Sequence, residues 1–412
     1  MKKTSRILAM LLALVMVAGL CACGSTDAAS AGSSAPAASS GSAPAAAPAD
    51  DGVAKTNRVI GTNQLLLGAY PLDIITTAAR VVTDICGDTM QIANDEGNVE
   101  KIIADIENFI NADVDAIFWW GLLETNFAVG PAKAEAAGIP IAFPDKVPPV
   151  GELTDNIRNM KCFAGGVGCD DYSAGVNLGK LAVSLGCKKA LIAGAEVGDT
   201  THEPRIAGFI EVFEAAGGQI LGTYRGSASD SAAQSQIDNL IAANPDADVF
   251  FGSGGDFALY AISANTTYGR DDMKVLGVDI SPDLLPYLKD GSLDAGCGAH
   301  WVAATYAMIM LENYLDGMPM LDADGKVGLP RNVQLIAVPA EMADLYERFW
   351  IDEFPYEEDE IKQLLYRYNP DVTLQDLQNV IDSYSIEDRL IAKYNAGKVT
   401  AEELAAVGIN VG

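Results

Sequence analysis

The side chains with the most versatile chemistry, cysteine and histidine, are few and scattered in this sequence. There are seven cysteines, none of them in a CxxC pair, and two histidines, His202 and His300. A structural zinc site needs four closely spaced ligands of these types, so the sequence argues against one. The cysteines also make a poor disulfide framework, although a bond between Cys162 and Cys169 stays open. We expect most of these thiols to be small buried apolar groups, and we predict no cofactor.

Glycine-rich and acidic segments that would serve catalysis or calcium binding are incomplete. Segment 252–257 (GSGGDF) follows a predicted strand, but Phe257 occupies the place of the third glycine in a dinucleotide-binding loop. No GxxxxGK[ST] loop and no HExxH motif occur. Asp322 and Asp324 precede Gly325, but the acidic twelfth ligand of a calcium loop is missing. The sequence therefore predicts a protein that binds its ligand without converting it.

Carboxylate, guanidinium and indole groups offer a different chemistry, the non-covalent recognition of a polar ligand. Carboxylates accept hydrogen bonds from hydroxyls, a guanidinium donates to two oxygens in one plane, and aromatic faces cover C–H groups. Trp119 and Trp120 end one predicted strand, and His300 follows another. Because side chains alternate along a strand, one of the two tryptophans is expected in the core. These residue types suit the hydroxyls and apolar faces of a sugar.

Strand and helix patterns alternate through the region that must position these side chains. Continuous apolar runs, such as 116–120 and 139–143, alternate with helical patterns, such as 99–110. Strands that are apolar throughout and separated by helices indicate a parallel sheet covered on both faces. The alternation pauses in the segment 144–159 and restarts with a predicted strand at 161–164. We therefore predict an α/β fold with two doubly wound parallel-sheet lobes joined by a hinge.

Each predicted lobe takes two pieces of the chain. The N-terminal lobe comprises 57–160 and 300–330, and the C-terminal lobe comprises 161–299 and 331–341. Ligands of doubly wound sheets bind beyond the carboxyl ends of the strands, so two facing lobes would share one cleft. Residues 342–412 are predicted to form a small acidic α-helical extension, which either packs on the body or binds a partner.

The formal net charge of −29 restricts the partners of this chain. A strongly negative surface repels the phosphate backbone, so nucleic acid is excluded as a partner. The same charge argues against direct binding to anionic lipid headgroups. Any association with a membrane must therefore depend on another feature of the chain.

The N-terminus has such a feature, a segment typical of exported lipoproteins. A cationic start at 1–6 precedes an apolar run at 7–19, which is too short for a comfortable membrane span. The following segment, LCACG at 20–24, resembles a bacterial lipobox, in which Cys23 would take a lipid. Cys21 fits this role less well, because a bulky leucine would precede the cleavage point.

Residues 1–22 are therefore predicted to be a lipoprotein signal peptide. Residues 23–56 are rich in Ala, Ser, Gly and Pro and are predicted to be a disordered tether, because such a composition buries little apolar area. Together the two segments predict a protein held by its lipid on the extracytoplasmic face of the cell membrane.

Five short motifs in the body occur in an informative order. They are GIPIAFPDK at 138–146, CDDYSAG at 169–175, RIAGF at 205–209, VLGVD at 275–279 and DGSL at 290–293. In these motifs the region 58–338, about two-thirds of the chain, resembles type I periplasmic binding proteins, the ribose- and galactose-binding group. The resemblance implies a hinged clamp that closes on a small molecule, has no enzymatic activity and presents the ligand to an ABC permease. The same clamp would also suit a sensor that signals to a membrane receptor or kinase.

The resemblance also implies which side chains touch the ligand. By the motif match these are Asp145, Arg205 and Asp279, and Tyr70 stands at a further contact position after the first strand. Structural roles compete with these assignments: Asp279 would serve as a helix cap, and Arg205 would pair with Glu203 on the surface.

Two positions depart from the family pattern. Lys146 stands where the family often has an arginine, and it is not a bidentate donor. Gly254 offers only backbone where the family typically has a side-chain amide. The ligand expected on this basis is a sugar, with a nucleoside or a polyol as alternatives. The full set of predicted contacts is Tyr70, Trp119, Trp120, Asp145, Lys146, Arg205, Gly254, Asp279 and His300.

Overall fold

The computed structural model describes residues 52–270 and 272–411. The predicted signal peptide at 1–22, the predicted lipidation site Cys23 and most of the predicted tether lie outside the described residues. Within the described ranges, no helix combines the length and the apolar character needed to cross a membrane.

The last residues assigned to the tether belong to the folded body. Lys55 Nζ donates a hydrogen bond to the carbonyl of Ile85 at 2.6 Å, and the hydroxyl of Thr56 donates to Asp88 Oδ1 at 2.6 Å. The boundary predicted at residue 56 is therefore too late, because composition does not reveal such contacts with a distant helix end.

The first lobe is built on a five-stranded parallel sheet with the order β2-β1-β3-β4-β5. Its strands are β1 (Val59–Gln64), β2 (Thr89–Asn94), β3 (Ala116–Phe118), β4 (Ile141–Phe143) and β5 (Phe163–Gly166). Its helices are α1 (Tyr70–Cys86), α2 (Val99–Asn111), α3 (Glu124–Ala137) and α4 (Glu152–Arg158). Helices cover the sheet, so adjacent strand residues such as Ile117 and Phe118 are both buried.

Strand β5 corrects the predicted lobe boundary. The strand predicted at 161–164 was assigned to the second lobe, but β5 pairs in parallel with β4 at the edge of the first sheet. The intervening segment, which was interpreted as a pause, contains the seven-residue helix α4. This helix lies in the crossover that a parallel connection requires, and it is too short to give a clear periodic pattern.

The second lobe is built on a six-stranded sheet with the order β11-β10-β9-β8-β6-β7, in which β11 alone runs antiparallel, to β10. Its strands are β6 (Lys189–Gly194), β7 (Gln219–Arg225), β8 (Val249–Gly252), β9 (Lys274–Val278), β10 (Ala295–Gly298) and β11 (Ile336–Val338). Its helices are α5 (Asp171–Ser184), α6 (His202–Ala215), α7 (Ala233–Ala243), α8 (Gly255–Tyr268) and α9 (Leu285–Asp290). The predicted fold of two doubly wound lobes is confirmed.

Three chain segments connect the lobes and form the hinge. The chain passes from β5 to α5, returns from β10 to helix α10 (Val302–Leu315), which packs against α1, and passes again to β11. Two of these segments are paired: Gly168 N donates to the carbonyl of Pro330, and Asp170 N donates to the carbonyl of Val333, both at 2.9 Å. Any change in the angle between the lobes must therefore bend all three of these segments.

The C-terminal extension is helical, as predicted. Its helices are α11 (Ala343–Tyr346), a π-helix (Glu347–Asp352), α12 (Glu358–Lys362), α13 (Leu374–Ser383), α14 (Ile386–Asn395) and α15 (Ala401–Ala406). Thr400 and Glu403 form a capping box at the start of α15. The extension packs on the body through buried residues such as Trp350 and Leu377. The disulfide left open between Cys162 and Cys169 does not form, since both thiols are free.

Candidate functional site

The strand ends of both lobes carry strained backbone where they face the cleft. Asp145 after β4, Asp279 after β9 and Ala299 after β10 have φ values of 59°, 68° and 61°. A left-handed backbone is unfavourable for residues with a Cβ and persists where the surroundings enforce it, often at binding sites. It turns the chain at the sheet edge, where Lys146 and His300 follow.

Six polar side chains form a closed loop across the cleft, which we call the cleft ring. Its members are Asp145, Lys146, Asp171, Arg205, Asp279 and His300. The ring contains three carboxylates and two permanent cations, and its members come from both lobes. The expectation that the carboxyl ends of the strands share one cleft therefore agrees with the geometry.

The second lobe supplies a tight ion-pair cluster to the cleft ring. Arg205 Nε lies 2.8 Å from Asp171 Oδ1, and Arg205 Nη1 lies 3.1 Å from Asp279 Oδ2. Arg205 Nη1 also donates to the carbonyl of Ser253 at 2.9 Å, and the guanidinium is buried. The surface pairing considered for Arg205 does not occur, because Glu203 pairs elsewhere, with Arg225.

Contacts between the lobes close the ring. Lys146 Nζ of the first lobe lies 2.6 Å from Asp171 Oδ2 of the second. His300 lies between two carboxylates, with Nε2 3.8 Å from Asp145 Oδ1 and Nδ1 3.7 Å from Asp279 Oδ1. These distances bring donors and acceptors of both lobes together in one buried cluster.

Opposite charges keep the buried groups of the ring ionised. Burial acts to lower the pKa of Arg205, but the carboxylates of Asp279 and Asp171 prevail and raise it. Burial likewise opposes the charge of Lys146, and Asp145 and Asp171 raise its pKa. Burial acts to raise the pKa of Asp171, yet the neighbouring cations hold it well below its usual range.

Close packing of α5 against α6 holds Asp171 and Arg205 together. A Cβ added to Gly175 would lie 1.9 Å from the carbonyl oxygen of Arg205, and one added to Gly208 would lie 2.3 Å from the carbonyl oxygen of Tyr172. Only glycine permits this separation of the helix backbones. The glycines in the two motifs therefore have a physical role, which is to set the spacing of the ion pair.

The two adjacent tryptophans have different environments. Trp119 is buried in the core of the first lobe, where its Nε1 donates to the carbonyl of Ile102 at 3.0 Å. Its prediction as a ligand contact is wrong, because strand alternation directs it away from the cleft. Trp120 Nε1 lies 3.4 Å from Asp145 Oδ2 and so lies beside the ring.

Several buried polar atoms beside the ring have no hydrogen-bond partner within the part of the chain that the structure describes. They include Tyr70 Oη, Asp279 Oδ1 and His300 Nδ1. Burial and the charge of Asp279 raise the pKa of Tyr70 to about 12, so its hydroxyl stays protonated. Buried polar groups without partners are costly, and their clustering indicates a place that a polar ligand would satisfy.

Gly254 lies at the other side of the ring, just before α8. A Cβ added there would lie 3.1 Å from His202 Cε1, so the glycine makes room for this imidazole. His202 Nδ1 lies 2.8 Å from Ser253 Oγ, and burial together with the charge of Arg205 lowers the pKa of His202 to about 4. His202 is therefore neutral near pH 7 and adds no charge to the site.

A family model described as a periplasmic binding protein domain matches residues 75–317, which is more than half of the chain. The chain belongs to this periplasmic binding protein family. The motif-based resemblance to type I members is thereby confirmed, and the cleft ring lies where the lobes of such a binding protein face each other.

Curated relatives of this binding protein include the ribose import binding proteins of Salmonella typhimurium and Escherichia coli. Each is 26% identical over 170 residues, which cover 41% of this chain and 55% of the relative. The chain thus spans about half the length of the curated relatives it matches. Each of these relatives is named as a binding protein.

Solved structures extend the likeness over both lobes. A solute-binding protein of Bacillus halodurans with bound myo-inositol is 20% identical and covers 72% of this chain and 99% of that one, with a TM-score of 0.58. An arabinose-transporter binding protein of Shewanella is 20% identical and covers 70% and 95%, with a TM-score of 0.61. An Actinobacillus succinogenes protein with D-allose is 20% identical and covers 70% and 100%, with a TM-score of 0.61. At these identities the likeness shows the fold.

Two members of the candidate site were not predicted from the sequence. Asp171 was not among the predicted contacts, and the helix cap is its neighbour Asp170, whose Oδ1 accepts from Ser173 N at 3.1 Å. The signal for Asp171 was the glycine four residues later, which permits its approach to α6. Cys169 Sγ donates to Asp145 Oδ1 at 3.0 Å, and no sequence pattern pointed to this contact.

Proposed function

We propose that this protein captures a sugar or a similar polyhydroxylated small molecule between its lobes and delivers it to an ABC permease. The observation that carries the proposal is the cleft ring, in which buried donors and acceptors of both lobes come together. A ligand that contacts Asp145 on one lobe and Arg205 and Asp279 on the other stabilises the closed arrangement and excludes water.

The charge of the ring favours a neutral ligand. Three carboxylates outnumber the two permanent cations, so a phosphate or carboxylate ligand would add negative charge to an already negative buried site. A hydroxyl group both donates and accepts, and it therefore matches the carboxylates and the cations without adding charge. Trp120 and Tyr70 offer aromatic surface for the C–H face of a sugar ring.

The relatives support the same ligand class and the transport role. The solved neighbours named above carry myo-inositol, L-arabinofuranose and D-allose, all neutral and polyhydroxylated. The curated relatives are named as ribose import proteins, which favours delivery to a permease over signalling to a receptor or kinase.

A binding screen tests the ligand class. The mature protein is titrated calorimetrically with D-ribose, L-arabinose, D-allose, myo-inositol and a set of nucleosides, and each neutral sugar is paired with its phosphate ester. We expect at least one neutral compound to bind and its ester to bind far more weakly. Tighter binding of the ester, or no binding by any neutral polyol, would contradict the proposal.

Two aspartate variants test whether the ligand binds in the cleft. Asp279→Asn removes a charge from the ring and should weaken ligand binding. Asp272→Asn is the matched control, because Asp272 is 68% exposed and pairs with Arg270 outside the cleft. Equal affinities of the two variants would exclude the cleft as the binding site.

We also propose that Cys23 carries a lipid that holds the protein at the extracytoplasmic face of the membrane. The lipobox-like segment and the low-complexity tether support this proposal. Labelling cells with a clickable fatty acid should mark the wild-type protein and a Cys21→Ala variant, but not Cys23→Ala. Labelling that persists in Cys23→Ala would place the lipid elsewhere.

A further inference from the structure

The C-terminal extension reaches the strand end that bears His300. Tyr384 Oη donates a hydrogen bond to the carbonyl of Ala299 at 2.8 Å, and Trp350 Nε1 donates to Tyr384 Oη at 3.0 Å. Trp350 also stacks on Tyr346, with ring centroids 5.5 Å apart. A buried aromatic cluster of the extension is therefore bonded to the backbone that turns into the cleft.

The extension is fixed to both lobes, so this cluster has a defined position. On the first lobe, Asn313 Nδ2 donates to the carbonyl of Leu364 at 2.8 Å, and Asn313 Oδ1 accepts from Tyr366 N at 2.7 Å. On the second lobe, Lys289 Nζ lies 2.6 Å from Glu347 Oε2. Contacts on both sides of the hinge make the extension a structural part of the clamp.

Tyr346 is the member of the cluster whose hydroxyl has no partner among the described residues, although the side chain is fully buried. Its Oη would lie 3.2 Å from a Cβ added to Gly298, the last residue of β10. Burial first, and then the nearby Tyr70 hydroxyl and the Asp279 carboxylate, raise the pKa of Tyr346. The Cβ added to Gly298 would also lie 3.2 Å from the backbone N of Ile280, the residue after Asp279, so the Tyr346 hydroxyl lies beside the strand end that carries Asp279. Like Tyr70 Oη and Asp279 Oδ1, it is a buried polar atom without a hydrogen-bond partner among the described residues.

We propose that Tyr346, supplied by the extension, contacts the bound ligand and determines specificity together with Tyr70 and Asp279. A single ligand hydroxyl would provide a hydrogen-bond partner for all three side chains, because its oxygen accepts from the two phenols and its hydrogen is donated to the carboxylate. A ligand without that hydroxyl would leave the buried groups unpaired and bind less tightly. This inference rests on the proposed function and refines it to one hydroxyl of the ligand.

The test uses the full chain and the tightest-binding compound among D-ribose, L-arabinose, D-allose and myo-inositol, with each of its monodeoxy analogues. Tyr346→Phe should weaken binding of the parent compound roughly three- to tenfold, the loss expected for one neutral hydrogen bond. For one deoxy analogue, wild type and variant should bind equally, because the hydroxyl that Tyr346 contacts is already gone. Equal weakening across all analogues, or none, would overturn the proposal.

Melting temperatures without ligand give an independent readout. Tyr346→Phe should melt at or above the wild-type temperature, because it removes a buried donor that has no partner. Tyr306→Phe is the matched control: its buried hydroxyl bonds to that of Tyr356, so this variant should melt lower and keep the wild-type pattern across the analogues. If Tyr346→Phe melts as low as the control, its hydroxyl has a structural bond and the proposal fails. If wild type binds none of the neutral compounds of the screen, the proposed function fails, and the melting comparison still decides whether the hydroxyl is unsatisfied.

Discussion

The two halves of the cleft ring differ in where their side chains find partners. In the second lobe, Arg205 contacts Asp171, Asp279 and the carbonyl of Ser253, all within the same lobe. In the first lobe, Lys146 has its 2.6 Å partner, Asp171, only across the cleft. Arg205 therefore finds its charged partners within its own lobe, whereas Lys146 finds its short-range partner only when the lobes approach.

This difference assigns separate roles to the lobes. Groups that are already held in position lose little conformational freedom when a ligand arrives, so the second lobe is suited to the first contact. Groups that find partners across the cleft stabilise the closed arrangement, so the first lobe is suited to holding the lobes closed. Variants in the two halves should therefore differ in kind as well as in size.

The largest effect is expected from Arg205→Ala in the second lobe. It leaves Asp171 and Asp279 buried with less compensating charge, which should lower the free energy of unfolding by about 3–5 kcal/mol and abolish binding. Denaturant unfolding measures the first effect and calorimetry the second. Arg225→Ala, which breaks a partly exposed pair in the same lobe, should cost about 1 kcal/mol or less. A similar loss of unfolding free energy in both variants would contradict a special role for the buried cluster.

Gly175→Ala tests whether helix packing preorganises the second half. Its Cβ would lie 1.9 Å from the Arg205 carbonyl oxygen, so α5 and α6 must separate, at an expected cost of about 3 kcal/mol. Gly179→Ala on the same helix meets its nearest atom at 3.1 Å and should cost less. Thermal unfolding ranks the two variants, and a reversed order would contradict the packing argument.

Lys146→Met should separate closure from folding. Asp171 keeps its bond to Arg205, so the loss in unfolding free energy should stay near 2 kcal/mol, about that of one charged hydrogen bond. The radius of gyration without ligand should increase, as small-angle X-ray scattering would detect, because a contact between the lobes is lost. Lys146→Arg should restore the wild-type radius. An unchanged radius in Lys146→Met would show that this pair does not hold the lobes together.

A further effect concerns pH. The pKa of His202 is lowered from 6.5 to about 4 in the folded protein, so between these pH values the unfolded chain binds a proton that the folded chain does not. Stability should therefore fall as the pH drops from 6.5 towards 4. His202→Gln should flatten this part of the stability curve, as denaturant unfolding at several pH values would measure. An equally steep curve in the variant would assign the pH dependence to other groups.

Features that depend on local pattern were predictable from the sequence. The alternation of apolar strands and helices indicated the two lobes, and the extension at 342–412 was predicted to be helical. The resemblance to type I periplasmic binding proteins implied that Asp145 and Asp279 share one ligand site, and both lie in the cleft ring.

Features that depend on the relative position of distant segments were not predictable. The pairing of Lys146 with Asp171 depends on the angle between the lobes, which no local pattern encodes. The position of the extension depends on contacts such as that of Asn313 with Leu364, between residues 51 positions apart. Trp119 and Trp120 show the boundary between the two cases, since alternation predicted that one is core but not which one.

A crystal structure of the mature protein with its tightest-binding neutral polyol would test the shared cleft most directly. We expect the ligand between the lobes, with its hydroxyls bonded to Asp145 of the first lobe and to Arg205 and Asp279 of the second. A ligand bound to one lobe alone, or outside the cleft ring, would contradict the view that both lobes form one binding site.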